Sequence, residues 1–194
     1  MCATKNIRDR IADSIVVTEC KECKRIKVGR DYEDADEGAL ERAIVGALHI
    51  KDCKLYLVSF DRGRNIALVK FDCDLGGQHG TFEKEIRVRF AKSLCMKCYR
   101  QKSGYYEAII QIRGQKERVE SFMSKIYRYN SRRGGFVSKM EENGDGYDVY
   151  FGDKKIIGEF FEKNKRYRTK QSYELYGIKK GKKVYRTIYF LRLE

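Results

Sequence analysis

An α+β architecture in two parts is predicted by three features of the sequence. Two C-x2-C pairs stand far apart, several short segments alternate apolar and polar residues, and a few longer ones repeat apolar residues at helical spacing. Residues 1–102 read as a four-cysteine zinc-knuckle domain with an α/β insert. Residues 103–194 read as a ferredoxin-like β-α-β-β-α-β-β domain, a layout used by many RNA-binding proteins.

The elements follow in order. Ser14 to Glu19 is a β-prone run entering the first knuckle, Cys20-Lys21-Glu22-Cys23, and an acidic linker covers Asp31 to Glu37. Leu40, Ala43, Ile44, Ala47 and Leu48 recur at helical spacing, which predicts a helix from Gly38 to His49. Lys54 to Phe60 and Asn65 to Phe71 form a hairpin across Asp61-Arg62-Gly63-Arg64. Ile86, Val88 and Phe90 alternate with Glu85, Arg87 and Arg89 in a third strand leading to the second knuckle, Cys95-Met96-Lys97-Cys98.

In the second part, Tyr105 to Ile112 is a strand ended by Gly114. Val119, Phe122, Met123, Ile126 and Tyr127 make the apolar stripe of a core-facing helix that exits at Gly134-Gly135. Phe136 to Glu142 and Tyr147 to Phe151 flank the turn Asn143-Gly144-Asp145-Gly146, whose residues tolerate positive φ. Asp153 can cap a helix that buries Ile156, Ile157, Phe160 and Phe161, and two strands turning at Lys179 to Lys183 finish the chain.

Composition narrows the function classes. Of 194 residues, 42 are Lys or Arg and 28 are Asp or Glu, a formal charge of +14 that points to a polyanion. A membrane partner is not expected, because no run of about 18 apolar residues and no spare basic amphipathic face is seen. No N-terminal signal pattern precedes the seven Cys, so a reducing, cytoplasmic location is expected and metal binding outranks disulfides. The hydrophobic share of 42% argues against disorder. The chain holds no Pro, for which we have no physical account.

Cys20 and Cys23, with Cys95 and Cys98, have the spacing that sets two thiolates from one tight turn on adjacent corners of a tetrahedral Zn2+. Four thiolates leave no open position for water, so such a zinc is structural; an iron–sulfur cluster is the lesser alternative. The 71 residues between the pairs exceed ordinary ribbon spacing and would form an insert clamped by the metal. Cys53 and Cys73 lie in strand-like runs and read as core or surface thiols, not ligands.

Four basic clusters interleave with Tyr. They are Lys163, Lys165, Arg166, Arg168 and Lys170 around Tyr167; Arg128, Arg132 and Arg133 beside Tyr127 and Tyr129; Lys97, Arg100 and Lys102; and Lys179, Lys180, Lys182 and Lys183 at a hairpin tip. Each alone can be a solvated face, but four together with the net charge make RNA the expected ligand, cations meeting phosphate and aromatic planes meeting unpaired bases. Catalysis has little to work with: there are two His, at 49 and 79, and no phosphate loop of the G-x-x-x-x-G-K-[ST] kind. Gly76-Gly77-Gln78 resembles the tripeptide with which release factors place a glutamine at the peptidyl-tRNA ester, though a hairpin loop is the stronger reading.

The stretch Cys95-Met96-Lys97-Cys98-Tyr99-Arg100, followed by Gly104-Tyr105-Tyr106-Glu107-Ala108-Ile109-Ile110-Gln111-Ile112-Arg113-Gly114, resembles the motif after the last knuckle in the nonsense-mediated-decay protein three family. Gly146-Tyr147-Asp148-Val149-Tyr150-Phe151-Gly152 and Lys170-Gln171-Ser172-Tyr173-Glu174-Leu175 resemble two further segments of that family, and the likeness runs from about Val16 onward. It implies a protein that binds the large ribosomal subunit, which the eukaryotic members adapt for nuclear export and archaeal relatives do not. The family pattern usually opens with further cysteine pairs, whereas only Cys2 precedes Cys20, so that first zinc site is expected to be absent; a translation-factor-like barrel and an acidic tail are not seen either.

The expectation is therefore a non-enzymatic protein of large-subunit maturation or anti-association, partnered by ribosomal RNA and ribosomal proteins, with no small-molecule substrate. Its alternatives are a ribosome-associated peptidyl-tRNA hydrolase using Gln78 and a zinc-dependent protein-interaction module.

Overall fold

A computed structural model describes residues 11–48, 50–51, 53–75, 78–144 and 146–194. Cys2, His49, Gly76, Gly77 and Asp145 lie outside the described residues. The chain divides into two compact units, Met1–Cys95 and Met96–Glu194.

The first unit is one six-stranded sheet with a helix against it. Its strands are β1 (Ser14–Cys20), β2 (Ile26–Val28), β3 (Asp31–Glu33), β4 (Cys53–Asp61), β5 (Ile66–Leu75) and β6 (Gln78–Ser93), in the order β3-β2-β1-β6-β5-β4. Helix α1 (Glu37–Leu48) buries Leu40, Ala43, Ile44 and Leu48 with Ile15 and Val17 of β1, Ala67, Val69 and Phe71 of β5, and Ile86 and Val88 of β6. Asp36 starts the helix by accepting a 2.7 Å hydrogen bond from the Ala39 N–H. At the β4–β5 turn, Asp61 accepts from the N–H groups of Gly63 and Arg64, the local bonding that turn residues favour.

Three expectations change here. The acidic linker contains a short strand, β3, because Tyr32 pairs with Lys27 across a tight turn. The third strand runs 16 residues, well past its apolar stretch, since β5 pairs with its residues 78–87 and β1 with its residues 87–93. Cys53 and Cys73 are not free thiols but a disulfide. The hairpin register sets them directly opposite, with Cα atoms 4.0 Å apart, so two cysteines read separately become one cross-strand pair.

The second unit opens with α2 (Met96–Lys102), a helix the sequence reading did not place. It continues β7 (Ala108–Gly114), α3 (Lys116–Arg132), β8 (Val137–Asn143), β9 (Gly146–Phe151), α4 (Lys154–Lys163), β10 (Thr169–Lys179) and β11 (Lys182–Leu193). The Asp153 side chain caps α4, accepting from the N–H groups of Lys155 and Ile156. Ala108, Ile110 and Ile112 of β7, Val149 and Phe151 of β9, and Tyr189 and Leu191 of β11 form one core with the apolar stripes of α3 and α4. Several edge-to-face ring pairs, Phe122–Phe160 at 5.8 Å and Tyr129–Phe160 at 5.1 Å among them, lock that core.

The sheet order is β10-β11-β7-β9-β8. After α4 the chain runs out to the edge as β10 and returns as β11, which enters between β10 and β7 and lies parallel to β7. The added strand is thus interposed beside β7, displacing the edge strand outward, where a plain ferredoxin-like sheet would set an antiparallel neighbour.

Candidate metal centre and basic surface

The parallel pairing of β1 with β6 explains how knuckles 71 residues apart in sequence meet. Parallel partners end on the same side of a sheet, and the register sets Cys20 opposite Ser93. Two residues past Ser93 comes Cys95, and the first turn of α2 then presents Cys98. On the other strand, the chain turns sharply after Cys20, with the Lys24 N–H returning to the Cys20 carbonyl at 3.0 Å and Lys24 itself at φ 62°, and this turn carries Cys23.

The four sulfurs, from Cys20, Cys23, Cys95 and Cys98, lie within 4.8 Å of one another, close enough to hold one metal ion. Cys23 Sγ is 3.7 Å from Cys95 Sγ, and the Cys95 N–H points at Cys20 Sγ from 3.4 Å. Cys20, Cys95 and Cys98 are buried, while Cys23 reaches the surface. Burial alone would push the Cys20 thiol up, but the backbone N–H groups of Cys95, Cys23 and Glu22 and the Cys23 thiol draw it down to about 6. The shift favours the thiolate, the form that binds a cation. With four sulfur donors and no fifth group, the cluster suits a closed structural centre and offers no position for a reacting water.

The basic residues fall into separate places. Arg128 and Arg132 lie on α3, and Arg133 follows it with its guanidinium 3.8 Å over the Tyr129 ring and its Nε 3.7 Å from Glu159. Lys163 ends α4, Lys165, Arg166 and Arg168 occupy the loop after it, and Lys170 begins β10. Tyr167 ties these two groups together: its ring packs on Phe122 at 4.9 Å and receives Lys125 Nζ at 5.4 Å and Arg166 at 5.0 Å. Arg100 and Lys102 belong to α2, with Arg100 5.0 Å from the Tyr105 ring. Lys180 and Lys182 stand at the β10–β11 tip, outside the part of the hairpin that β7 covers.

Two cations escaped the sequence reading. Lys125 precedes Arg128 by one helical turn, so the helical period already marks it. Arg186 lies over both Tyr106 at 3.7 Å and Tyr176 at 4.1 Å, and only the strand pairing reveals that arrangement. Among the described residues no helix is long and apolar enough to cross a membrane.

Fold and site together define a mixed α+β protein, mostly strands, with a closed thiolate cluster and a strongly basic surface. Residues 105–193, a little under half of the chain, match the family model described as NMD3, second domain, and this match supports membership of the NMD3 family. That family is one of ribosome-associated adaptors and is not known as an enzyme family. No curated protein matches the chain.

Proposed function

We propose that this chain binds ribosomal RNA of the large ribosomal subunit, in subunit maturation or in blocking premature subunit joining, and that it catalyses no reaction. The observation that carries this reading is the match of residues 105–193 to the NMD3 second domain. The net charge of +14 supports it, because the surface must meet a polyanion or repel itself. Arg100, Lys102, Arg128, Arg132, Arg133, Lys163, Lys165, Arg166, Arg168, Lys170, Lys180 and Lys182 are the proposed phosphate contacts.

Zn2+ is the proposed ion for Cys20, Cys23, Cys95 and Cys98. Zinc–sulfur bonds of about 2.3 Å at tetrahedral angles put neighbouring sulfurs about 3.8 Å apart, and the Cys23–Cys95 separation of 3.7 Å fits. Its role is to fix both knuckles at the ends of β1 and β6. The proposed location is the cytoplasm of an archaeal-type cell. A disulfide inside an intracellular protein and a charged share of 36% are both habits of hyperthermophile proteins, and they support that setting.

The test is co-sedimentation of the chain with purified large subunits across a salt series. Binding should weaken steeply, with log K falling linearly against log salt as counterions are released. Co-migration that stays constant from low to high salt would remove phosphate contact as the basis of binding, and absence of co-migration at low salt would remove the function.

A further inference from the structure

We infer that the groove between α3 and α4 is a phosphate-recognition site that takes the backbone of a single-stranded RNA segment, a reading that rests on the RNA-binding role proposed above. The groove is a cleft of about 680 Å3, and no acidic residue lines it. One wall is a stripe of α3 in which Ser124, Lys125, Arg128 and Arg132 follow at helical spacing; the other is Phe160 of α4 and Asn164, which caps its C-terminal end. Among the described residues, no carboxylate pairs with Lys125, Arg128 or Arg132. A concave row of uncompensated cations repels itself and concentrates anions.

A second observation is independent of charge. Tyr129 lines the same groove, and its hydroxyl is buried without a hydrogen-bond partner. Buried hydroxyls are normally satisfied, so an unmet one beside a cleft marks where a ligand acceptor fits. Its ring is held in place by Phe160 on one side and the Arg133 guanidinium on the other. Arg128 and Arg132 are about 6 Å apart along the helix axis, and each fork can grip two oxygens of one phosphate group. A cleft of about 680 Å3 is large enough for the backbone of one strand and too small to admit a duplex. The small side chains Ser121 and Ser124 keep the floor open.

The experiment measures binding of the full chain to a fluorescent single-stranded oligoribonucleotide, to the same sequence as a duplex, and to a glutamate-rich peptide. The variants are Arg128→Ala/Arg132→Ala, the groove-filling Ser124→Trp and Ser121→Tyr, and, as a control, Lys54→Ala/Lys70→Ala, two exposed cations of β4 and β5 outside the proposed contacts. Single-strand affinity should fall at least about tenfold in each groove-filling variant, which removes no charge. In Arg128→Ala/Arg132→Ala the slope of log K against log salt should shrink by about 1.4, at about 0.7 per phosphate contact on a single strand. Unchanged melting temperatures confirm that the filling variants fold; if one does not fold, the other decides. Single-strand affinity within twofold of the original in the folded filling variant, or equal losses in the groove and control double variants, would overturn the groove site while leaving RNA binding intact. Peptide binding as tight as RNA and lost in the same variants would overturn it in favour of an acidic protein segment. An original chain that binds neither RNA form would overturn the underlying role itself.

Discussion

Replacing Asp148 by Ala should destabilise the second unit far more than the loss of an ordinary surface charge. Val149 and Phe151 of β9 face the helices, so Asp148 faces the other side of the sheet. There its carboxylate meets Arg113 Nη2 at 2.7 Å and accepts from Asn143 Nδ2 at 3.3 Å. Arg113 also donates through Nη1 to the carbonyls of Ile112 and Tyr147. The two side chains are 13% and 11% exposed, so removing the carboxylate strands a guanidinium charge that water barely reaches. Breaking a buried pair from one side costs about 3–5 kcal/mol, and the residual solvent contact selects the low end, about 3 kcal/mol. For a unit of this size each kcal/mol lowers Tm by roughly 4–8 °C, so a drop of about 12–24 °C is expected. Scanning calorimetry of the full chain reads it, and Arg113→Leu/Asp148→Leu, which strands no charge, should recover most of the loss. A shift under about 2 °C in Asp148→Ala would mean the pair behaves as an exposed one. A double variant as unstable as the single one would refute the stranded-charge argument.

Gly146→Ala should cost about 1–3 kcal/mol in the same assay, because its Cβ would overlap the Ile112 carbonyl, whereas Gly177→Ala, with open space around it, should stay within about 0.5 kcal/mol. Equal effects would refute the close approach of β7 and β9. Reducing the Cys53–Cys73 bridge, which closes a separation of 20 residues, should lower the stability of the first unit by about 3 kcal/mol in urea titrations; superimposable curves with and without dithiothreitol would show that the bridge is not formed. Cys98→Ser should abolish stoichiometric zinc in elemental analysis of the purified chain, since a closed site needs all four thiolates. Full zinc retention in that variant would place the metal elsewhere.

How much of this was legible in the sequence depended on whether the signal was local. The stripe Val119, Phe122, Met123 and Ile126 and the capping Asp153 announce their helices without help from distant residues, and both helices form there. The cysteine spacing, likewise local, named the four sulfurs that the structure brings within 4.8 Å. Pairing between distant strands leaves no such mark. Nothing in the run from Lys182 to Leu193 says that it will lie parallel to β7 and push β10 to the edge. Cys53 and Cys73 were an intermediate case. The predicted hairpin, followed outward from the turn, would have set Cys53 opposite Asp72, and only the observed register, with its shift between Leu57 and Ser59, sets Cys73 there instead. The groove between α3 and α4 was half visible: Arg128 and Arg132 stood out as charges, but nothing local in the sequence marks the Tyr129 hydroxyl as buried and unmet.

The two units solve one topological problem by different means, and this explains where the thiolates sit. Each contains a parallel strand pair whose members are far apart in sequence, β1 with β6 and β7 with β11. Closing a loop of about 70 residues costs roughly 4 kcal/mol of chain entropy by the logarithmic law. In the second unit two helices cover the sheet, and Phe122, Phe151, Phe160, Phe161 and Tyr189 supply a core dense in rings, each ring removing a large apolar surface from water. In the first unit a single helix packs on the sheet, Phe71 is the one fully buried ring among the described residues, and the rest of the buried cluster is aliphatic apart from Cys73, with Phe60, Phe82 and Phe90 only half-buried against it. Three of the four thiolates, those of Cys20, Cys23 and Cys95, stand at the end of the parallel pair in the unit whose core is thinner. An ion held by four thiolates binds with apparent free energies of about 10–16 kcal/mol in small zinc domains, more than the closure cost. An ion bound there would cross-link the pairing that the apolar core is least able to hold alone.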